Sequence, residues 1–263
     1  MKQIILSLLL ICALPVLAQE TVSVSETLIT DRPDATESPY TVGKGNFQIE
    51  TGALFTENGD DDFNVKRFVF NTGLLRYGLS DNFELRLGWD YQNERLISQG
   101  IELSDATGFT PLLIGGKIEI TDENGWIPQI GLMTHLRLPF TAVTEFKPEQ
   151  TGMEMIFSFD HTLSNSTSIA YNLGARVADN RSIEYLYTVA YGFDITQKFG
   201  AYIELYGAFP EDTTAYHLWD AGCTYLVNNN LQLDVTVGTG FNSTAADQNI
   251  LLSAGFSYRI LKK

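Results

Sequence analysis

Residues Phe83 to Tyr91 read F-E-L-R-L-G-W-D-Y. Phe83, Leu85, Leu87, Trp89 and Tyr91 fall on one side of an extended chain; Glu84, Arg86, Gly88 and Asp90 fall on the other. Successive strand side chains point to opposite faces, so this segment is a strand with one apolar face and one charged face. A soluble β-sandwich alternates too. The number of such segments, their length and what precedes them decide between the two.

The chain opens with Met1-Lys2, an apolar run from Ile4 to Leu14, and Val16-Leu17-Ala18. That is the pattern of a secretion signal cut after Ala18, and it is too short for a membrane span. Ile11 stands where a lipoprotein site has a small residue, which argues against lipidation at Cys12. After the signal, Cys223 is alone, so no internal disulfide is expected. The 263 residues carry a formal net charge of -15, which argues against nucleic acid as a partner.

About twelve alternating segments follow, each near the ~10 residues that a tilted strand needs to cross a bilayer. They are expected at 45–56, 63–79, 83–94, 109–121, 126–138, 151–162, 167–178, 182–195, 199–209, 215–227, 231–241 and 249–260. Short links such as Ser80-Asp81-Asn82 and Asn228-Asn229-Asn230 alternate with more variable ones, the longest from Arg95 to Gly108. Asn, Asp and Gly in the short links suit tight hairpins. Short turns at one end and longer loops at the other belong to outer-membrane barrels, and an even strand count puts both termini on the periplasmic side. Aromatics near the strand ends, among them Trp89, Tyr91, Phe199 and Tyr225, fit two interfacial girdles. In lipid an unpaired backbone group is costly, so such a sheet must close. The expected fold is all-β: a closed antiparallel up-and-down transmembrane β-barrel of about twelve strands, over residues 44–263, in the bacterial outer membrane. Residues 1–18 are the signal peptide and 19–43 a periplasmic leader or plug segment. Outer-membrane lipid and lipopolysaccharide are the expected surroundings.

Ile29-Thr30-Asp31-Arg32-Pro33-Asp34-Ala35-Thr36-Glu37-Ser38-Pro39-Tyr40, followed by Gly43-Lys44-Gly45-Asn46-Phe47-Gln48-Ile49-Glu50, resembles the bacterial family labelled "putative MetA-pathway of phenol degradation", whose members are often called transporters. The resemblance is specific over about residues 29–52. It implies an outer-membrane barrel moving small molecules, aromatic or hydrophobic ones among them. The chain ends in Leu261-Lys262-Lys263 and lacks the terminal aromatic common in barrels. Read from its residues, the segment 30–38 is polar and carries Pro33, so it is no central strand. Two readings stay open: it tucks into the barrel mouth with Asp31, Arg32, Asp34 and Glu37 paired to inward charges, or it is an unordered leader.

Inward bases fall early, at Arg76, Arg86, Lys117, Arg137 and Arg176, with His135 beside them. Inward acids fall late, at Glu184, Asp194, Glu204, Asp220 and Asp234. Opposed charged walls set a transverse field that orients solutes. The expected activity is passive transport of small molecules through a narrow conduit, for which inward Gly88, Gly152, Gly174, Gly192, Gly222, Gly238 and Gly255 leave space. The alternatives are a lumen closed by ion pairs, with Glu84, Asp90, Glu119, Glu154 and Asp160 among the bases, and a non-conducting barrel for structure or surface display. An exported ligand-binding sandwich is a third option. His161 and Ser164 loosely match a phospholipase set, but His161 is expected on the lipid face and Ser164 in a turn, so no enzyme is expected. No cofactor or metal is expected: the histidines lack a ligand spacing. Glu57 with Asp60-Asp61-Asp62 reads as a solvated tip rather than a calcium loop.

Overall fold

The computed structural model describes residues 27–59, 62–177, 182–241 and 248–262. The expected signal peptide at 1–18, Asp60, Asp61 and the links at 178–181 and 242–247 lie outside the described residues.

The described residues form one antiparallel sheet: β1 Phe47–Gly59, β2 Phe63–Ser80, β3 Phe83–Ser98, β4 Ile101–Phe109, β5 Leu112–Thr121, β6 Gln129–Leu138, β7 Gly152–Ser164, β8 Thr167–Val177, β9 Ile183–Asp194, β10 Phe199–Pro210, β11 Tyr216–Asn228, β12 Leu231–Gly240 and β13 Gln248–Ile260. Except for β4 and β5, strands that follow one another in sequence pair, and β1 also pairs with β13, Phe47 opposite Ile260. The sheet is therefore a closed barrel. β4 and β5 are two halves of one pass, both against β3, so thirteen strands make twelve crossings.

Polarity is inverted relative to a soluble domain. Arg76 and Glu84 are 0% exposed and Lys117 1%, whereas Leu233, Val235, Val237, Phe256 and Tyr258 lie open on the outer surface. A water-soluble sandwich would carry a large desolvation cost for those buried ions and expose apolar rows at the same time. A lipid-facing exterior removes both objections.

The long loop expected at 95–108 is instead ordered as a hairpin. β3 runs on to Ser98, turns through Gln99 (φ 49°) and Gly100 (φ 78°), and returns as β4. Two consecutive positive φ values are what a tight hairpin turn requires. Arg67 bonds Glu94 at 2.7 Å across this extension, and Arg95 lies 3.8 Å from Asp105. Charged residues stand on both faces there, Glu94 and Glu102 on one side and Arg95 and Asp105 on the other beside Ile101 and Leu103, so the clean alternation that marks a membrane strand is lost while the ladder continues.

Candidate functional site in the barrel interior

Residues 27–44 enter at the end where the barrel strands begin and finish, with the Leu28 N–H bonded to the Asn229 carbonyl. The segment then crosses the interior and returns to β1. Along the way its backbone uses side chains of the wall as acceptors. Ala35 N–H donates to Glu204 of β10 at 2.7 Å, and Val42 N–H donates to Glu84 of β3 at 2.9 Å. Asn172 of β8 holds Glu37 both ways, accepting its N–H at 2.7 Å and donating to its carbonyl at 2.9 Å. A chain with no strand neighbours thus has backbone partners inside the barrel.

Asp31 is the centre of the arrangement. Lys117 Nζ donates to both its carboxylate oxygens at 2.8 Å, Arg86 Nη1 reaches Oδ2 at 2.5 Å, and Arg76 Nη1 lies 3.2 Å away. Arg76 also bonds Glu84 at 2.8 Å, Glu50 at 2.9 Å and the Tyr40 carbonyl at 2.7 Å. Burial alone disfavours the charged Asp31, yet Arg76, Lys117 and Arg86 together hold its carboxyl well below the usual range. Glu37 pairs with Arg86 at 2.9 Å.

Arg32 points to the strands around the barrel closure, β2, β1, β13 and β12. Its Nη2 lies 2.9 Å from Asp234, and its Nη1 donates to Thr72 at 3.1 Å. Cβ atoms at Gly52 and Gly255 would sit 2.6 Å and 2.4 Å from the same guanidinium nitrogen, so both glycines make room for it. Asp34 lies near Glu204 and Asp220. Burial, then those two carboxylates, push its carboxyl well above the usual range. Asp220 stands opposite Glu204 in the ladder, and its Oδ1 is buried with no hydrogen-bond partner among the described residues.

The remaining charges fall in different places. Arg86 Nε donates to His135 Nε2 at 3.0 Å, which leaves the imidazole proton on Nδ1, 3.3 Å from Glu154. Arg176 bonds Glu184 at 2.6 Å, joining the early bases to the late acids on adjacent strands. Arg137 is exposed towards the loop end, and Asp194 is exposed near the opposite mouth. Of the seven inward glycines, Gly88 and Gly152 have room for a side-chain atom, a Cβ at Gly192 would crowd Ser168 Oγ at 3.3 Å, and Arg32 occupies the space at Gly255.

Open space lies on both sides of the crossing segment. Towards the loop end, cavities of about 260 and 720 Å³ share Asp90, Thr110, Pro111 and Arg137, so they form one outer chamber. A cavity of about 380 Å³ opens at the other mouth. Arg32 is the residue that lines both this lower cavity and the outer chamber.

Sequence reading did not anticipate the part played by neutral and backbone groups. Asn172, Gln48, Gly52 and Gly131 line the path of the segment, Gly131 opposite the Pro39 backbone. Inward parity was the available signal; their role depends on which residue of the segment arrives. Ser164 Oγ meets Thr167 Oγ1 and His161 stacks on Tyr171, so no nucleophile–base bond joins His161 and Ser164 among the described residues.

A closed antiparallel barrel, apolar outside and charged within, defines the class: a transmembrane β-barrel. The chain belongs to the family described as "Putative MetA-pathway of phenol degradation", whose profile matches residues 30–260. Its fold is similar to that of an outer membrane channel from Pseudomonas putida F1, at 12% identity and TM-score 0.66, covering 92% of this chain and 100% of that one. It is also similar to the NanC porin (7% identity, TM-score 0.52, 81% and 100% covered) and to the translocator domain of the autotransporter NalP from Neisseria meningitidis (9%, 0.54, 83% and 89%). These identities carry the fold alone. A search of curated proteins gives no match.

Proposed function

We propose that this chain is a passive outer-membrane transporter for small molecules, held closed at rest by residues 27–44. The observation that carries the reading is that one segment binds both charged walls between two chambers, through Asp31 on the basic side and Arg32 on the acidic side. Such a plug is electrostatic and reversible, unlike an apolar core. The family's description supports aromatic solutes as the cargo. In this reading residues 1–18 direct export, both termini are periplasmic, the barrel spans 44–263, and lipopolysaccharide meets the extended β3–β4 hairpin.

Planar-bilayer recording of the full chain beside a variant lacking residues 27–42 tests the reading. The full chain should show rare openings and the shortened chain a steady conductance. Silence from both, with the barrels folded, would refute it.

A further inference from the structure

Charged side chains of the interior are mostly matched. Arg76, Arg86 and Lys117 converge on Asp31, Arg32 meets Asp234, Arg67 meets Glu94 and Arg176 meets Glu184. Asp90 and Arg137 are different. Among the described residues, neither side chain makes a hydrogen bond or an ion pair. Both line each of the two cavities of the outer chamber, so they stand at the waist where the cavities join.

They do not pair with each other because β5 lies between them. Gly88 of β3 is opposite Leu113 of β5, and Leu113 is opposite Arg137 of β6. Asp90 is two residues beyond Gly88, on the same inward face. The two charges therefore start two strand spacings apart, roughly 10 Å, with Leu113 as an apolar floor between them. Glycines keep this floor open: a Cβ at Gly88 would touch Leu113 only at 3.4 Å, and one at Gly152 would touch Arg137 only at 3.5 Å.

The charges around the waist are already bonded. His135 lies between Arg86 and Glu154 on one side of it, and Arg176 holds Glu184 on the other. Glu145 and Lys147 line the wider cavity alone, one of each sign, and leave its balance unchanged. An ion that leaves water needs an opposite charge beside it. At this waist an anion would satisfy Arg137 and be repelled by Asp90, and a cation would do the reverse. A molecule that carries both signs satisfies both walls.

From this geometry we propose that the waist of the outer chamber is a binding site for small zwitterions of the amino-acid kind. Arg137 takes the carboxylate and Asp90 the ammonium. An apolar or aromatic body rests on Leu113 and Pro111 and extends towards Phe146 in the wider cavity. That the bound molecule is cargo rests on the transport reading; the site itself does not, because it lies on the loop side of the closed plug.

Calorimetry on the full chain in detergent micelles tests the site with three probes that share one ring: phenylalanine, phenylpropanoate without the ammonium, and phenethylamine without the carboxylate. Phenylalanine should bind, and each single-charge analogue should bind at least about tenfold more weakly, as expected for the loss of one charge-assisted bond. Arg137→Gln should abolish the preference for phenylalanine over phenethylamine and keep that over phenylpropanoate. Asp90→Asn should do the opposite, and Arg137→Lys, which keeps the charge, should retain both preferences. No binding of phenylalanine, equal binding of the three probes, or loss of all three alike in both neutral variants would each overturn the site. Binding beside silent planar-bilayer records would keep the site and reject transport; conductance without binding would do the reverse.

Discussion

Replacing Asp31 with asparagine removes one negative charge from the meeting point of Lys117, Arg86 and Arg76 while keeping the shape of the side chain. The three cationic side chains are at most 1% exposed, so water cannot compensate while the segment stays docked. Breaking a buried ion pair by deleting one partner costs about 3–5 kcal/mol. Glu50 and Glu84 remain beside Arg76, and undocking readmits water, so the lower end applies. At about 1.4 kcal/mol per factor of ten, the docked-to-released ratio should fall about a hundredfold. Single-channel recording reads this as a rise in open probability with little change in the open-state current. Acid should not reproduce it at mild pH. A carboxyl whose docked value is depressed contributes fully above its free value of about 3.9, and the contribution is lost only as pH falls through the lower docked value. If Asp31→Asn keeps the wild-type closed level while removal of residues 27–42 opens the pore, this network does not hold the segment and the reasoning fails.

Three further outcomes follow from the same geometry. Gly131→Leu places a side chain where a Cβ already lies 2.7 Å from the Pro39 carbonyl oxygen; it should dislodge the segment and raise conductance, with thermal stability of the barrel little changed. Asp34 has the reverse linkage to Asp31: its docked value is raised, so its contribution is complete below about pH 3.9 and is lost as pH rises through the docked value. Asp34→Asn should therefore lower open probability at pH 7 and flatten its rise with pH; a variant more open than wild type would contradict this. Val235→Arg, on the outer face with Val235 54% exposed, should destabilise the barrel by roughly 2–4 kcal/mol if it lies near the bilayer midplane, read from urea unfolding in vesicles.

Period-two alternation was enough to settle the class of fold, because a strand in lipid must segregate its two faces residue by residue. F-E-L-R-L-G-W-D-Y carries that constraint within nine positions, and twelve repetitions of it imply closure. The same rule indicated that Arg76, Arg86, Lys117, Glu204 and Asp234 would point inward. It was silent where charges stand on both faces, as Glu94, Arg95, Glu102 and Asp105 do, so the β3–β4 hairpin read as a loop. The fourth pass was legible only from Phe109 onward, because Glu102 and Asp105 break the alternation in its upper half. What inward charges do depends on distances across the lumen. That Asp31 gathers three cations, that Arg32 reaches Asp234 two hundred residues away, and that Gly52 and Gly255 clear space for it follow from bringing far parts of the chain within 3 Å, which no local pattern encodes. Sequence dictated the two faces of each strand because solvent acts on residues singly; tertiary structure alone decided the plug and the space that receives it, because those are relations between residues that meet only once the barrel has closed.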